Sequence, residues 1–199
     1  MSEQALSLGL FAAVMTFSPG PNNVLLAWSG SQVGLRRSIP LWLGIVVGIV
    51  VLLTVSALGP GTVLKSEPLL QRAMLGAGSL YLAWLGWKVA RSGPPTMNSA
   101  GHDRQLEFIA GLVNTLLNPK GWAMALGATA GYATLAPTAP HLALVLSLVF
   151  AAMAVPNWLL WCGGGQALAR SVTSERGWRL ANGILGSLVV ASIVPLWLE

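Results

Sequence analysis

Thr16-Phe17-Ser18-Pro19-Gly20-Pro21-Asn22-Asn23 lies in the middle of an apolar run that extends from about Gln4 to Ser29. Two prolines around a glycine cannot continue a regular helix. Each proline removes a backbone donor and clashes with the preceding turn. In hydrocarbon the freed carbonyls must find partners, so a broken helix survives there only where it is buried in protein or lines a wet cavity. Pro21 suits the first turn of a new half-helix. The amides of Asn22, Asn23 and Val24 then point into the protein with partial positive charge.

A second apolar run, about Leu106 to Tyr132, carries Leu116-Leu117-Asn118-Pro119-Lys120-Gly121 at its centre. It has the same Asn, Pro and Gly, with a cation added. One proline in a membrane helix is more often a kink than a site. Two breaks at matching positions, one beside a lysine deep in its span, point to function, because a buried cation is costly. Candidate substrate-binding residues are therefore Ser18, Pro19, Gly20, Pro21, Asn22, Asn23, Asn118, Pro119 and Lys120.

Moving outward, the remaining apolar runs are about Ser38–Leu58, Pro68–Ala90, His141–Gly164 and Trp178–Leu198. They are continuously apolar, whereas the strands of a membrane barrel alternate. Six crossings take about 120 residues, at about 20 per helix, which leaves only short loops in a chain of 199. The composition agrees. Of all residues 54% are hydrophobic and 9% charged, where soluble domains carry about 25% charged residues. Mean hydropathy is +0.68. The expected architecture is an all-α polytopic membrane protein with six transmembrane helices, of which the first and fourth are broken.

Residues 1–91 read as one three-helix repeat and 106–199 as a second, joined by a cytoplasmic loop at 92–105. The two make a single transmembrane domain over 1–199. An odd number of spans per half gives the halves opposite orientation. Paired interrupted helices in such inverted repeats mark the substrate site of secondary transporters.

The charges set a topology. Arg36, Arg37, Lys88, Arg91, Arg104, Arg170, Arg176 and Arg179 flank one side of the spans, against Lys65 and Arg72 on the other. The positive-inside rule puts the eight in the cytoplasm and both termini on the periplasmic or extracellular side. Trp28, Trp42, Trp84, Trp87, Trp161 and Trp178 fall near the cytoplasmic ends, where an aromatic belt is expected. The net charge of +5 does not imply nucleic acid, because the cations are scattered rather than clustered on one face.

Other features read as packing. Gly44 with Gly48, and Gly127 with Gly131, allow close helix approach within the chain or across a dimer. Gly163, Gly164 and Gly165 are expected to end the fifth helix. Pro156-Asn157 puts a kink and one polar group into that helix. His102 and His141 lie in or near loops, facing solvent. With one cysteine, Cys162, no intrachain disulfide or paired-cysteine metal site can form, and neither a metal nor another cofactor is implied. The same count disfavours a thiol-shuttle oxidoreductase. An intramembrane protease needs a Ser–His dyad or paired Asp at depth, and neither is there. An accessory subunit has no need of two matched breaks and a buried lysine.

Ser18-Pro19-Gly20-Pro21-Asn22-Asn23, followed by Gly34-Leu35-Arg36-Arg37-Ser38, resembles the LysE/RhtB amino-acid exporter family. So do Gly76-Ala77-Gly78-Ser79-Leu80-Tyr81-Leu82-Ala83-Trp84-Leu85-Gly86-Trp87-Lys88, Phe108-Ile109-Ala110-Gly111-Leu112 and Asn118-Pro119-Lys120. The Pro-Gly-Pro-Asn-Asn form looks most like the cysteine/O-acetylserine branch. The resemblance covers nearly the whole chain. It implies a bacterial inner-membrane exporter of small amino acids or derivatives, of the cysteine, O-acetylserine, threonine or homoserine class. It also implies proton-motive-force coupling, six spans and a homodimer in the lipid bilayer. One departure stands out. Some members of the family carry an acidic residue within the membrane, but here Glu3, Glu67, Asp103, Glu107, Glu175 and Glu199 all lie at span ends or in loops. Coupling through Lys120 and no proton coupling are both open on the sequence.

Overall fold

The computed structural model describes residues 2–59, 68–94 and 104–197. Lys65, Glu67, His102, Asp103, Glu199 and most of the 92–105 loop lie outside the described residues. Eight α-helices and two short 3-10 turns make up the described chain, with no strand among those residues. The helices are α1 (Ser2–Phe17), α2 (Pro21–Val33), α3 (Ile39–Ala57), α4 (Pro68–Ala90), α5 (Arg104–Leu116), α6 (Pro119–Gly131), α7 (Ala139–Ser171) and α8 (Glu175–Ala191).

Both expected breaks are present. The first apolar run divides into α1 and α2 at Ser18–Gly20, and the fourth into α5 and α6 at Leu117 and Asn118. Each second half starts on a proline, Pro21 or Pro119. Unbroken α3 and α7 are each long and apolar enough to cross a bilayer. Pro156 lies inside α7 without ending it. Leu6, Leu10 and Val14 on α1, Leu80 on α4, Leu148 on α7 and Leu180 on α8 are all well exposed. A bilayer accommodates such faces, whereas a water-soluble monomer rarely exposes contiguous apolar patches this large.

Small residues set the helix crossings. Gly44 lies on the Phe108 backbone and Gly48 on the Thr115 side chain, so α3 and α5 pack closely within the chain. Gly30 faces the Cys162 backbone and Gly165 the Ala27 backbone, which brings α2 onto α7. A side chain at any of these four glycines would collide with its neighbour. Gly127 meets only ordinary contact with Phe11 and Gly131 meets open space, so this second pair does not carry a tight crossing inside the chain.

Two sequence expectations are corrected. Gly163, Gly164 and Gly165 do not end the fifth helix, since α7 runs on to Ser171. Gly165 serves instead as the smooth face on which α2 rests. The six tryptophans do not form one belt. Only Trp84 and Trp87 are well exposed, at 49% and 54%, with Lys88 and Arg91 over their rings. Trp178 is 4% exposed. Trp28, Trp42 and Trp161 turn their indole N–H groups to partners inside the bundle. An indole N–H needs a partner when buried, and these three find oxygens on other helices or at their ends.

The eight flanking cations gather at one end of the bundle. The C-terminal end of α2 meets that of α4 where Trp28 donates to Ser92 Oγ at 3.0 Å. The start of α8 joins there as Asn182 donates to the Ser92 carbonyl at 2.7 Å. The end of α7 joins through Gln166, which accepts from Leu35 N at 2.9 Å. The parallel contact of α3 with α5 puts Arg104 at the same end. Arg72, on the first turns of α4, lies at the other end.

Candidate substrate site

The first break leaves a run of carbonyls without helical donors. Met15 and Phe17 would be served by the N–H of residues 19 and 21, which are both proline. Side chains replace what the backbone lost. Ser18 Oγ donates to the Met15 carbonyl at 3.2 Å. Asn23 Nδ2 donates to the Thr16 carbonyl at 2.7 Å and to the Ser18 carbonyl at 2.9 Å. Trp161 Nε1, from α7, donates to the Phe17 carbonyl at 3.3 Å. Lys120 Nζ, from α6, donates to the Ser18 carbonyl at 2.9 Å, Ser18 Oγ at 2.7 Å and the Pro19 carbonyl at 3.2 Å. Five successive carbonyls, Met15 to Pro19, thus each have a side-chain donor. This meets the requirement that a broken helix in the bilayer be satisfied internally.

The second break is closed by the same logic. Asn118 caps α6, its Oδ1 accepting from Lys120 N at 3.1 Å. That amide is the one that would have met the Leu116 carbonyl in an unbroken helix. Trp122 Nε1 supplies the missing donor at 2.9 Å. Lys120 therefore ties the two breaks together, with its backbone held in one and its ammonium laid across the other. Gly20 makes this possible. A Cβ there would sit 3.1 Å from Lys120 Cδ and 3.2 Å from Nζ.

A cavity of about 40 Å³ opens at this junction, lined by Thr16, Gly20, Asn22, Asn23, Trp42, Asn118, Lys120, Met124 and Asn157 among others. That is room for about three waters, at about 10–15 Å³ of probe volume each. Of the nine residues singled out in the sequence, Gly20, Asn22, Asn23, Asn118 and Lys120 line it. Ser18, Pro19, Pro21 and Pro119 shape the breaks without lining it. The wall carries Lys120 Nζ, which donates to Ser18 and Pro19, and the Nδ2 groups of Asn22 and Asn118, and these two amide groups have no partner among the described residues. Gly20 gives the first turn of α2 no side-chain cap.

Asn23, a candidate substrate-binding residue on the sequence, has its side chain committed to the break. Its Nδ2 faces two carbonyls, groups that only accept. Its Oδ1 must then point away from them, and it accepts from Asn157 Nδ2 at 2.8 Å. Asn22 Oδ1 likewise accepts from Asn114 Nδ2 at 2.6 Å. Asn157, Asn114, Trp161 and Trp122 are the residues that the sequence pattern did not place at the site. Asn157 had a signal, a polar residue beside an intrahelical proline. Asn114 and the tryptophans had none, because their partners lie in another helix or depend on the break's geometry. The Lys120 ammonium rests on oxygens of Ser18 and Pro19 alone among the described residues, so no carboxylate there neutralises it.

Two broken helices thus meet at a half-buried cation, inside a bundle that exposes apolar faces. The sequence pattern of the LysE type translocators matches residues 13–194, which include both breaks. The chain belongs to that family. As a LysE type translocator it is a membrane-embedded transporter and not an enzyme. It is 25% identical over 189 residues to a cysteine/O-acetylserine efflux protein of Klebsiella pneumoniae subsp. pneumoniae, covering 95% of this chain and 94% of that protein. It is 26% identical over 110 residues to the cysteine/O-acetylserine efflux protein of Escherichia coli K12, covering 55% of each. No solved structure matches the translocator significantly.

Proposed function

We propose that this translocator exports small amino acids or their derivatives, of the cysteine, O-acetylserine, threonine or homoserine class, across the bacterial inner membrane. The observation that carries this reading is Lys120, a cation at the meeting of both breaks with no carboxylate partner among the described residues. A substrate carboxylate supplies the missing counter-charge. The unfilled Nδ2 groups of Asn22 and Asn118 and the uncapped start of α2 add neutral donors around it. The efflux function of the relatives supports the direction of transport.

The two halves work as inverted repeats under this reading. The packing partners support it. α2 lies on α7 as α6 lies on α3; α1 lies on α7 as α5 lies on α3; α4 and α8 pack on each other. Each pair maps onto its counterpart when the halves are exchanged. A cavity sized for about three waters must widen to admit an amino acid, and rocking one half against the other provides that motion. The cation-rich end faces the cytoplasm, so both termini face the periplasm. The exporter works as a homodimer and is coupled to protons. Lys120 is the coupling group, as the ionisable residue at the junction.

Replacing Lys120 with Met tests the site. A charge-assisted hydrogen bond contributes about 1.5–3 kcal/mol, so efflux of radiolabelled cysteine from proteoliposomes should weaken about tenfold or more in apparent affinity. Lys120→Arg, which keeps the charge, should retain part of it. Normal efflux by Lys120→Met at equal protein would overturn the role of Lys120.

A further inference from the structure

Two oxygens in the cavity wall have no hydrogen-bond partner, an amide oxygen that can only accept and a hydroxyl that can accept or donate. Thr16 Oγ1 and Asn157 Oδ1 are buried and without a partner, in residues only 8% and 5% exposed that both line the cavity. A buried acceptor left unpaired is costly, and native interiors rarely keep one without a reason. The orientation of Asn157 is imposed by the first break. The carbonyls of Thr16 and Ser18 turn Asn23 Nδ2 toward themselves, Asn23 Oδ1 then claims Asn157 Nδ2, and Asn157 Oδ1 is left over. The geometry that repairs the helix thus creates an acceptor.

We propose that Thr16 Oγ1 and Asn157 Oδ1 receive the α-ammonium of the transported molecule, while Lys120 and the half-helix starts receive its carboxylate. This rests on the exporter reading and adds which residues recognise the amino group. The cavity is divided by chemistry, with acceptors from the end of α1 and the middle of α7 and donors from the starts of α2 and α6. A metal cation would suit the acceptors, but Lys120 on the same wall repels it. A plain carboxylic acid would suit the donors and leave Asn157 Oδ1, which can only accept, unpaired. A zwitterion satisfies both sets and brings no net charge. Deaminated and N-acylated forms of the substrate, which lack the ammonium, are therefore expected to be recognised poorly.

The test is counterflow of radiolabelled cysteine in proteoliposomes, competed by unlabelled cysteine, 3-mercaptopropionate or N-acetylcysteine. With the wild type, both analogues should compete about ten- to a hundredfold less well than cysteine, the span of one or two lost charge-assisted hydrogen bonds. In Asn157→Leu and in the isosteric Thr16→Val, cysteine should weaken toward the analogues, which themselves should barely change. Thr16→Ser, which keeps the hydroxyl, should restore the preference that Thr16→Val loses. Equal competition by 3-mercaptopropionate in the wild type, or undiminished preference in both variants, would overturn the assignment. Lys120→Met reports separately, because it should weaken cysteine and 3-mercaptopropionate alike. Absence of counterflow in the wild type with cysteine, O-acetylserine, threonine and homoserine alike would overturn the exporter reading itself, and this proposal with it.

Discussion

Replacing Asn23 with Leu removes three hydrogen bonds with one substitution of similar volume. Two of its donors go to the carbonyls of Thr16 and Ser18, and its oxygen accepts from Asn157. The Ser18 carbonyl keeps the Lys120 ammonium at 2.9 Å. The Thr16 carbonyl and Asn157 Nδ2 are left with no partner among the described residues. An orphaned buried carbonyl costs about 1–3 kcal/mol. A side-chain hydrogen bond between membrane helices averages about 0.6 kcal/mol. Together the loss should be about 2–4 kcal/mol, with the larger part on the break rather than the interhelical bond. Unfolding in mixed micelles titrated with dodecyl sulfate, followed through tryptophan fluorescence, measures it. A double-mutant cycle with Asn157→Leu should return a coupling of only about 0.6 kcal/mol, the pair's own share. A single variant within about 0.5 kcal/mol of wild type, or a coupling that accounts for the whole loss, would refute the claim that Asn23 holds the first break together.

Gly165→Leu should prevent α2 from seating on α7, because even a Cβ there collides with the Ala27 backbone; overpacking costs about 1–3 kcal/mol or more, measured as lost stability in the same titration. Gly164→Ala, one residue away and facing open space, should stay within about 1 kcal/mol of wild type or exceed it, since Ala favours a helix over Gly by about 1 kcal/mol. Gly20→Ala should shift the Lys120 side chain by a few tenths of an ångström against Ser18 and Pro19, lowering cysteine counterflow with little change in unfolding; unchanged counterflow would show that the ammonium tolerates that displacement.

Much of the fold was legible because hydrocarbon enforces simple rules. Continuous apolar runs gave the helices, and Pro19-Gly20-Pro21 and Asn118-Pro119 marked both breaks to within a residue. The glycines at 163–165 read locally as a helix end because glycine ends a helix in isolation but smooths one in a bundle, and only the neighbour at Ala27 distinguishes these roles. The tryptophans differ from their local pattern for a similar reason. End-of-span position predicts an interfacial belt, whereas Trp42 and Trp161 are drawn inward by carbonyls of Ala154 and Phe17 that the sequence does not place beside them.

The sequence by itself determined that the chain is membrane-embedded, where its helices break and which cation lies at a break, because each follows from local chemistry: apolar length, a missing N–H, a charge within an apolar run. Tertiary structure decided what those groups face. It laid Lys120 across the opposite break rather than leaving it beside its own, bound Asn23 to the backbone, and left Asn157 Oδ1 and Thr16 Oγ1 without partners in the wall of the same cavity. Those outcomes depend on contacts between residues as far apart as Asn23 and Asn157, and hydrogen bonding over such separations is set by the packing of the bundle and not by any local pattern.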